Sequence, residues 1–262
     1  MTFITKTVRL VAPPEPPFIG TRIVIATTDE SPTFGIYLAK LAEGHPSLTV
    51  DWGDGSCETL PGLDSSTHTY PTPGQYEIRV SDDVASLRVR GLKDEFITTY
   101  PKMLVSFCSD AVHLTELGQG CFTGASLVEI ENWPPKLESI GGAGLNENTQ
   151  LTKVAPLPAT LSKLGASAFA NCQKLPGEIT LPTNVTAIAL MTFYGCTLLE
   201  KVYLPGVSKV AMGDPMKLPF RFCPSLREIH FAKSNEASIT SLPNYNLYPT
   251  FGAENAKVDF DL

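Results

Sequence analysis

"LGASAFANCQKL" at 164–175 and "IALMTFYGCTLL" at 188–199 align residue by residue, so that Phe169 returns as Phe193 and Cys172 as Cys196. Working outward, Phe122, Leu145, Phe169, Phe193 and Phe220 form one column with spacings of 23, 24, 24 and 27. That period belongs to a solenoid of stacked turns in the leucine-rich range. An aliphatic residue stands five positions before each of the first four (Leu117, Ile140, Leu164, Ile188). In the fifth turn Val210 stands ten before Phe220, so "AMGDPMKLPF" (211–220) carries extra residues and is expected to protrude.

A second aliphatic column follows the aromatics: Ile130, Val154, Ile179, Val202 and Ile229. Alternation around it predicts short strands, with the aliphatic side chains inward and both neighbours outward. The preceding outward column reads Glu129, Lys153, Glu178, Lys201, Glu228, and the following one Glu131, Ala155, Thr180, Tyr203, His230. Equivalent residues of stacked turns lie about 4.8 Å apart, so the first column predicts a ladder of alternating charge. The second grows aromatic toward its end. Lys201, Tyr203, Glu228 and His230 are therefore the candidate ligand-binding residues, because amphipathic rings give contact area at low entropic cost.

These repeats resemble the leucine-rich repeats of BspA-like bacterial surface proteins, whose unit runs I-G-x-x-A-F-x-x-C-x-x-L-x-x-I-x-L-P-x-x-V. The resemblance spans about residues 104–232, is closest in the two central units, and weakens where Leu145 replaces the aromatic, Asn148 the cysteine, and the cysteine of the first unit moves to Cys121. It implies a curved binding solenoid and does not name a ligand. Cys172, Cys196 and Cys223 occupy equivalent places, read as small buried side chains beneath the aromatics. Metal or redox pairs of the C-x-x-C type are missing.

The N-terminal part has another texture. "SLTVDWGDGSCETL" (47–60) followed by "THTYPTPGQYEIRVSD" (67–82) resembles the polycystic-kidney-disease-type (PKD-like) β-sandwich, through Trp52, Gly53, Asp54 and Gly55 and then His68, Tyr70, Gly74 and Tyr76. Such modules are spacers or adhesive units. Asp51 and Asp54 are read as turn residues rather than calcium ligands, since the EF-hand spacing is absent. His68 is read as a packed strand residue.

The chain of 262 residues is thus expected to be mainly β: a proline-rich arm (1–17), a PKD/Ig-like sandwich (18–91), a leucine-rich repeat solenoid of about five turns (92–232) and a C-terminal cap (233–262). "FITTYPKMLVSFCSDAVHL" (96–114) is expected as an irregular adaptor between the modules. A net charge of −7 speaks against a nucleic-acid partner. No uninterrupted apolar run has the length of a membrane span, and "MTFITKTVRL" lacks the apolar centre of a secretory leader. His45, His68, His113 and His230 show no Ser-His-Asp or Cys-His signature, and G-x-S-x-G, H-E-x-x-H and a phosphate-binding glycine loop are all absent, so no enzyme and no cofactor are expected. The expected function is adhesion at a bacterial surface, extracellular, toward a host protein or glycan. The alternative is a structural or display component of a phage-like particle, a virion protein. The proline-rich arm is the candidate contact for a homo-oligomer.

Overall fold

The computed structural model describes residues 18–28, 33–61, 65–90, 103–248 and 250–262. The proline-rich arm lies outside them. Seven strands come first: β1 (Gly20–Thr27), β2 (Thr33–Leu41), β3 (Ser47–Asp51), β4 (Cys57–Pro61), β5 (Ser65–Thr69), β6 (Gly74–Ser81) and β7 (Val84–Arg90). They divide between two sheets, β1-β6-β3-β4 in one and β7-β2-β5 in the other. The turn between β3 and β4 is closed by its own side chains. Asp51 Oδ1 accepts the Gly53 amide at 2.9 Å, and Asp54 Oδ1 accepts the Ser56 amide at 3.0 Å. His68 Nε2 reaches Asp54 Oδ2 at 2.7 Å. These bonds, that from the Ser56 hydroxyl foremost, pull the Asp54 carboxyl down to about 2. Gly53 sits at φ +81, and a Cβ there would lie 2.5 Å from the Glu77 carbonyl oxygen, so only glycine fits. Trp52 beneath this turn is 2% exposed and stacks on His68 with ring centroids 5.1 Å apart.

The repeats contribute paired short strands: β8 (Leu104–Ser109), β9 (Glu116–Leu117), β10 (Glu129–Asn132), β11 (Ser139–Ile140), β12 (Lys153–Val154), β13 (Lys163–Leu164), β14 (Glu178–Thr180), β15 (Ala187–Ile188), β16 (Lys201–Leu204), β17 (Lys209–Val210) and β18 (Glu228–Phe231). A five-residue helix α1 (Glu236–Thr240) and a last strand β19 (Lys257–Phe260) follow. In "AMGDPMKLPF" the extra residues form a 3-10 turn at Pro215–Lys217 with Met216 60% exposed, a protrusion as expected.

The two sheets of the N-terminal strands do not stop at the module boundary. β1 pairs antiparallel with β8, giving the seven-stranded order β12-β10-β8-β1-β6-β3-β4, and β7 pairs parallel with β9, giving β13-β11-β9-β7-β2-β5. The segment expected as an irregular adaptor therefore contains a regular strand, β8, whose Phe107 stands opposite Ile130 at the head of the inward column. It is buried on both faces, with only Val105 partly exposed, and it joins a strand on each side. At the seam the hydroxyls of Thr21 and Ser109, both buried, meet at 2.8 Å. One hydrophobic cluster runs from Ile23 through Phe107 to Phe251.

Two more pieces complete the solenoid, the four-stranded sheet β14-β16-β18-β19 and the pair β15-β17. The aromatics stack along the axis: Phe169 on Phe193 at 5.4 Å and Phe193 on Phe220 at 5.6 Å, nearly parallel. Around Phe122, Leu145, Phe169 and Phe193 the chain takes a left-handed residue two positions before and two after: Gly120 and Gly124, Ala143 and Glu147, Ser167 and Asn171, Met191 and Gly195. This sharp corner lets each aromatic amide donate to the next turn, as from Phe169 to the Thr192 carbonyl oxygen at 2.8 Å.

Each recurring thiol is a donor across turns. Cys172 Sγ reaches the Leu145 carbonyl oxygen at 3.1 Å, Cys196 Sγ that of Phe169 at 3.1 Å and Cys223 Sγ that of Phe193 at 3.0 Å. Asn148, at the same position one turn earlier, places its Nδ2 on the Phe122 carbonyl oxygen at 2.7 Å. Burial pushes the thiols of Cys172 and Cys223 up to about 12, so they stay protonated and keep the hydrogen they donate.

Candidate interaction surface

The outward face of the strand column carries the charge ladder. Parallel pairing puts Glu129 opposite Lys153, Glu178 opposite Lys201 and Lys201 opposite Glu228. Lys153 contacts Glu129, and Lys201 Nζ stands 3.4 Å from Glu228 Oε1 and 4.0 Å from Glu178 Oε1. The ladder breaks once, between Lys153 and Glu178, because β12 and β14 belong to different sheets. It continues past the expected last rung, since β19 sets Lys257 opposite Glu228.

Lys201, Tyr203, Glu228 and His230 come together on β16 and β18. Register places Tyr203 beside His230, and their rings stack with centroids 4.8 Å apart and planes 14° apart. Glu228 bridges the group, with Oε1 toward Lys201 and Oε2 3.0 Å from His230 Nε2. The other ring nitrogen, Nδ1, lies 2.8 Å from Asp261 Oδ1. Ionised carboxylates can only accept, so both contacts are satisfied together only when the imidazole is protonated. Burial works against that charge, yet the hydrogen bonds to Asp261 and Glu228 outweigh it and raise the His230 pKa above its ordinary value. The same contacts lower Asp261 and Glu228. His230 is thus held, with its side chain 10% exposed, while Tyr203 is half-buried and faces solvent more openly.

Sequence reasoning missed the residues from the C-terminal segment: Asp259, which pairs in register with His230, and Asp261. A signal was present in "KVDF" (257–260), which alternates like "KVYL" (201–204). Among the described residues no group of three or more histidine, cysteine or acidic side chains is arranged to hold a metal ion.

The model of the BspA-type leucine-rich repeat region matches six copies over residues 115–248, just over half of the sequence, and the chain belongs to that family. No curated protein matches it. Among solved structures it is similar to a Treponema pallidum leucine-rich repeat protein, 19% identical with a TM-score of 0.49, over 68% of this chain and 76% of that one. It is also similar to a leucine-rich repeat protein from Bacteroides ovatus, 21% identical with a TM-score of 0.42, over 67% of this chain and 51% of that one. Repeat proteins of this kind are typically protein-interaction modules.

Proposed function

We propose that this protein is a non-enzymatic binding module of a bacterial surface, which takes a protein or glycan ligand on the ladder face around Lys201, Tyr203, Glu228 and His230. The observation that carries this reading is the fixed Tyr203–His230 stack beside an open ladder of charge. A partly exposed ring already held in place loses little freedom on binding, which is how aromatic anchors earn affinity. We read the N-terminal strands as a PKD-like spacer, on the strength of the Trp52, His68, Tyr70 and Tyr76 ring cluster. The sheets they share with the solenoid cover its first turn, as a solenoid end requires.

The test is surface plasmon resonance of the full chain against a glycan array and a panel of extracellular-matrix proteins. With any ligand so found, Tyr203→Ala is expected to weaken binding at least about tenfold, the scale of a hot-spot residue. Glu131→Ala, far along the same face, is expected to leave it unchanged. Equal affinities for Tyr203→Ala and the parent would remove this patch from consideration.

A further inference from the structure

At the far corner of the solenoid, the residue two positions after each column residue stands in the left-handed region. Four corners give that place to Gly124, Glu147, Asn171 and Gly195, and the fifth gives it to Phe222, at φ +60. A bulky residue is strained there, whereas glycine or asparagine sits easily. Packing does not account for the exception, because Phe222 is 52% exposed. The ring is nonetheless braced. Tyr194 meets it nearly at right angles with centroids 5.1 Å apart, and the Arg221 guanidinium carbon lies 4.8 Å from its centroid. Backbone strain borne by an exposed, braced ring points to contact with something outside the fold.

Phe222 lines a groove of about 270 Å³ between the last repeat and the C-terminal segment, together with Thr197, Pro224, Gly252, Glu254 and Asn255. That volume lies just below the range that takes drug-sized molecules, so it suits a single ring. Its polar groups are uncommitted. Glu254 and Asn255 are exposed, and among the described residues neither the carboxylate nor the amide side chain has a hydrogen bond or ion pair. The Thr197 hydroxyl donates to the Gln173 carbonyl oxygen at 2.9 Å and keeps its lone pairs for a donor. The two sides are fixed relative to each other, since the Phe220 amide donates to the Phe251 carbonyl oxygen at 3.1 Å.

We propose that this groove is a glycan-binding site, separate from the ladder face, which takes one neutral pyranose ring against Phe222 with its hydroxyls on Glu254 and Asn255. Three features select that chemistry. A pyranose carries an apolar C–H face that lies flat on an aromatic ring, and its hydroxyls donate to a carboxylate and both donate to and accept from an amide. An apolar peptide side chain would match Phe222 alone and offer nothing to Glu254 and Asn255. The Glu254 carboxylate also sorts sugars by charge, since an acidic one would set like charges together. Arg221, the cation nearest Phe222, is turned to the Pro215 carbonyl oxygen, to which its Nη1 donates at 3.1 Å.

Saturation-transfer NMR on the full chain tests this, with the methyl glycosides of glucose, galactose, mannose and N-acetylglucosamine as probes. Each is offered at about 20 mM, because a single ring is expected to bind at about 1 mM. At least one is expected to take up saturation, mainly at its ring C–H protons. Phe222→Gly restores the residue of the Gly124 and Gly195 corners, so it is expected to keep the parent's circular dichroism while abolishing the transfer. Glu254→Ala is expected to raise Kd at least about tenfold, the scale of one lost hydrogen bond to a charged group. Glu131→Ala is expected to match the parent. Absence of transfer to all four probes, or equal transfer in the parent and Phe222→Gly, would overturn the proposal. Transfer lost in Tyr203→Ala but kept in Phe222→Gly would also overturn it, by moving the sugar to the ladder face. So would a methyl glucuronide that binds more tightly than the glucoside.

Discussion

The thiol of Cys196 reaches back one turn to the carbonyl oxygen of Phe169, at 3.1 Å. That oxygen also accepts the Cys172 amide, at 3.3 Å, so the thiol supplies a second, inter-turn bond. A site that only needs volume would favour valine over threonine, because a buried hydroxyl costs free energy. Here a donor is wanted. Cys196→Thr is expected to be at least as stable as Cys196→Val, with a gap of about 1 kcal/mol, the net worth of one hydrogen bond. Urea midpoints at a common m-value measure it. A clear advantage for valine would reduce the recurring cysteine to a filler.

Phe193 lies between Phe169 and Phe220 with no exposed surface, so its removal leaves a cavity that rigid neighbouring turns cannot close. Phe193→Ala is expected to cost about 3–5 kcal/mol. The same denaturation series reads it, and a loss below 1 kcal/mol would mean that the turns relax far more than their paired backbone suggests.

The aromatic column, the inward aliphatic column and the charge ladder could be read in the sequence because each repeats at a fixed place along the chain. So could the placing together of Lys201, Tyr203, Glu228 and His230, which needs only the stacking of like positions. The pairing of β1 with β8 could not. It joins residues 79 to 88 positions apart, and nothing local in "LVSFCS" (104–109) names its partner. The break between β12 and β14 coincides with one surplus residue, since Cys172 stands seven positions before Ile179 where Cys196 stands six before Val202, but a spacing rule for the aromatics alone passes over it. Asn148 looked like a degraded cysteine, yet it makes the same bond with a stronger donor.

The shared sheets determine how the protein unfolds. With β1 on β8 and β7 on β9, the N-terminal strands have no separate core to keep once the first turns open. Calorimetry is expected to show one transition with equal calorimetric and van't Hoff enthalpies. Two resolved transitions would mean that the seam contributes less than the hydrogen bonds across it imply.

His230 ties the end of the chain to the sheet through Asp261, and this tie depends on pH from both sides. Tyr203 packs on the ring, Glu228 and Asp261 meet its nitrogens, and Lys201 and Asp259 stand on the neighbouring strands. The folded pKa of His230 is raised, so its contribution is fully present below 6.5 and is lost as pH rises through the folded value. Glu228 and Asp261 are lowered, so theirs is present above 4.5 and 3.8 and is lost as pH falls through their folded values. The attachment of β19 is therefore tightest between about pH 5 and 6.5. Exchange of the Val258 and Phe260 amides, corrected for the intrinsic pH dependence, is expected to be slowest in that window and to speed up toward pH 9. In His230→Asn, which keeps polar contacts but cannot carry the charge, the alkaline rise is expected to disappear. An unchanged rise in that variant would assign the pH dependence to another group.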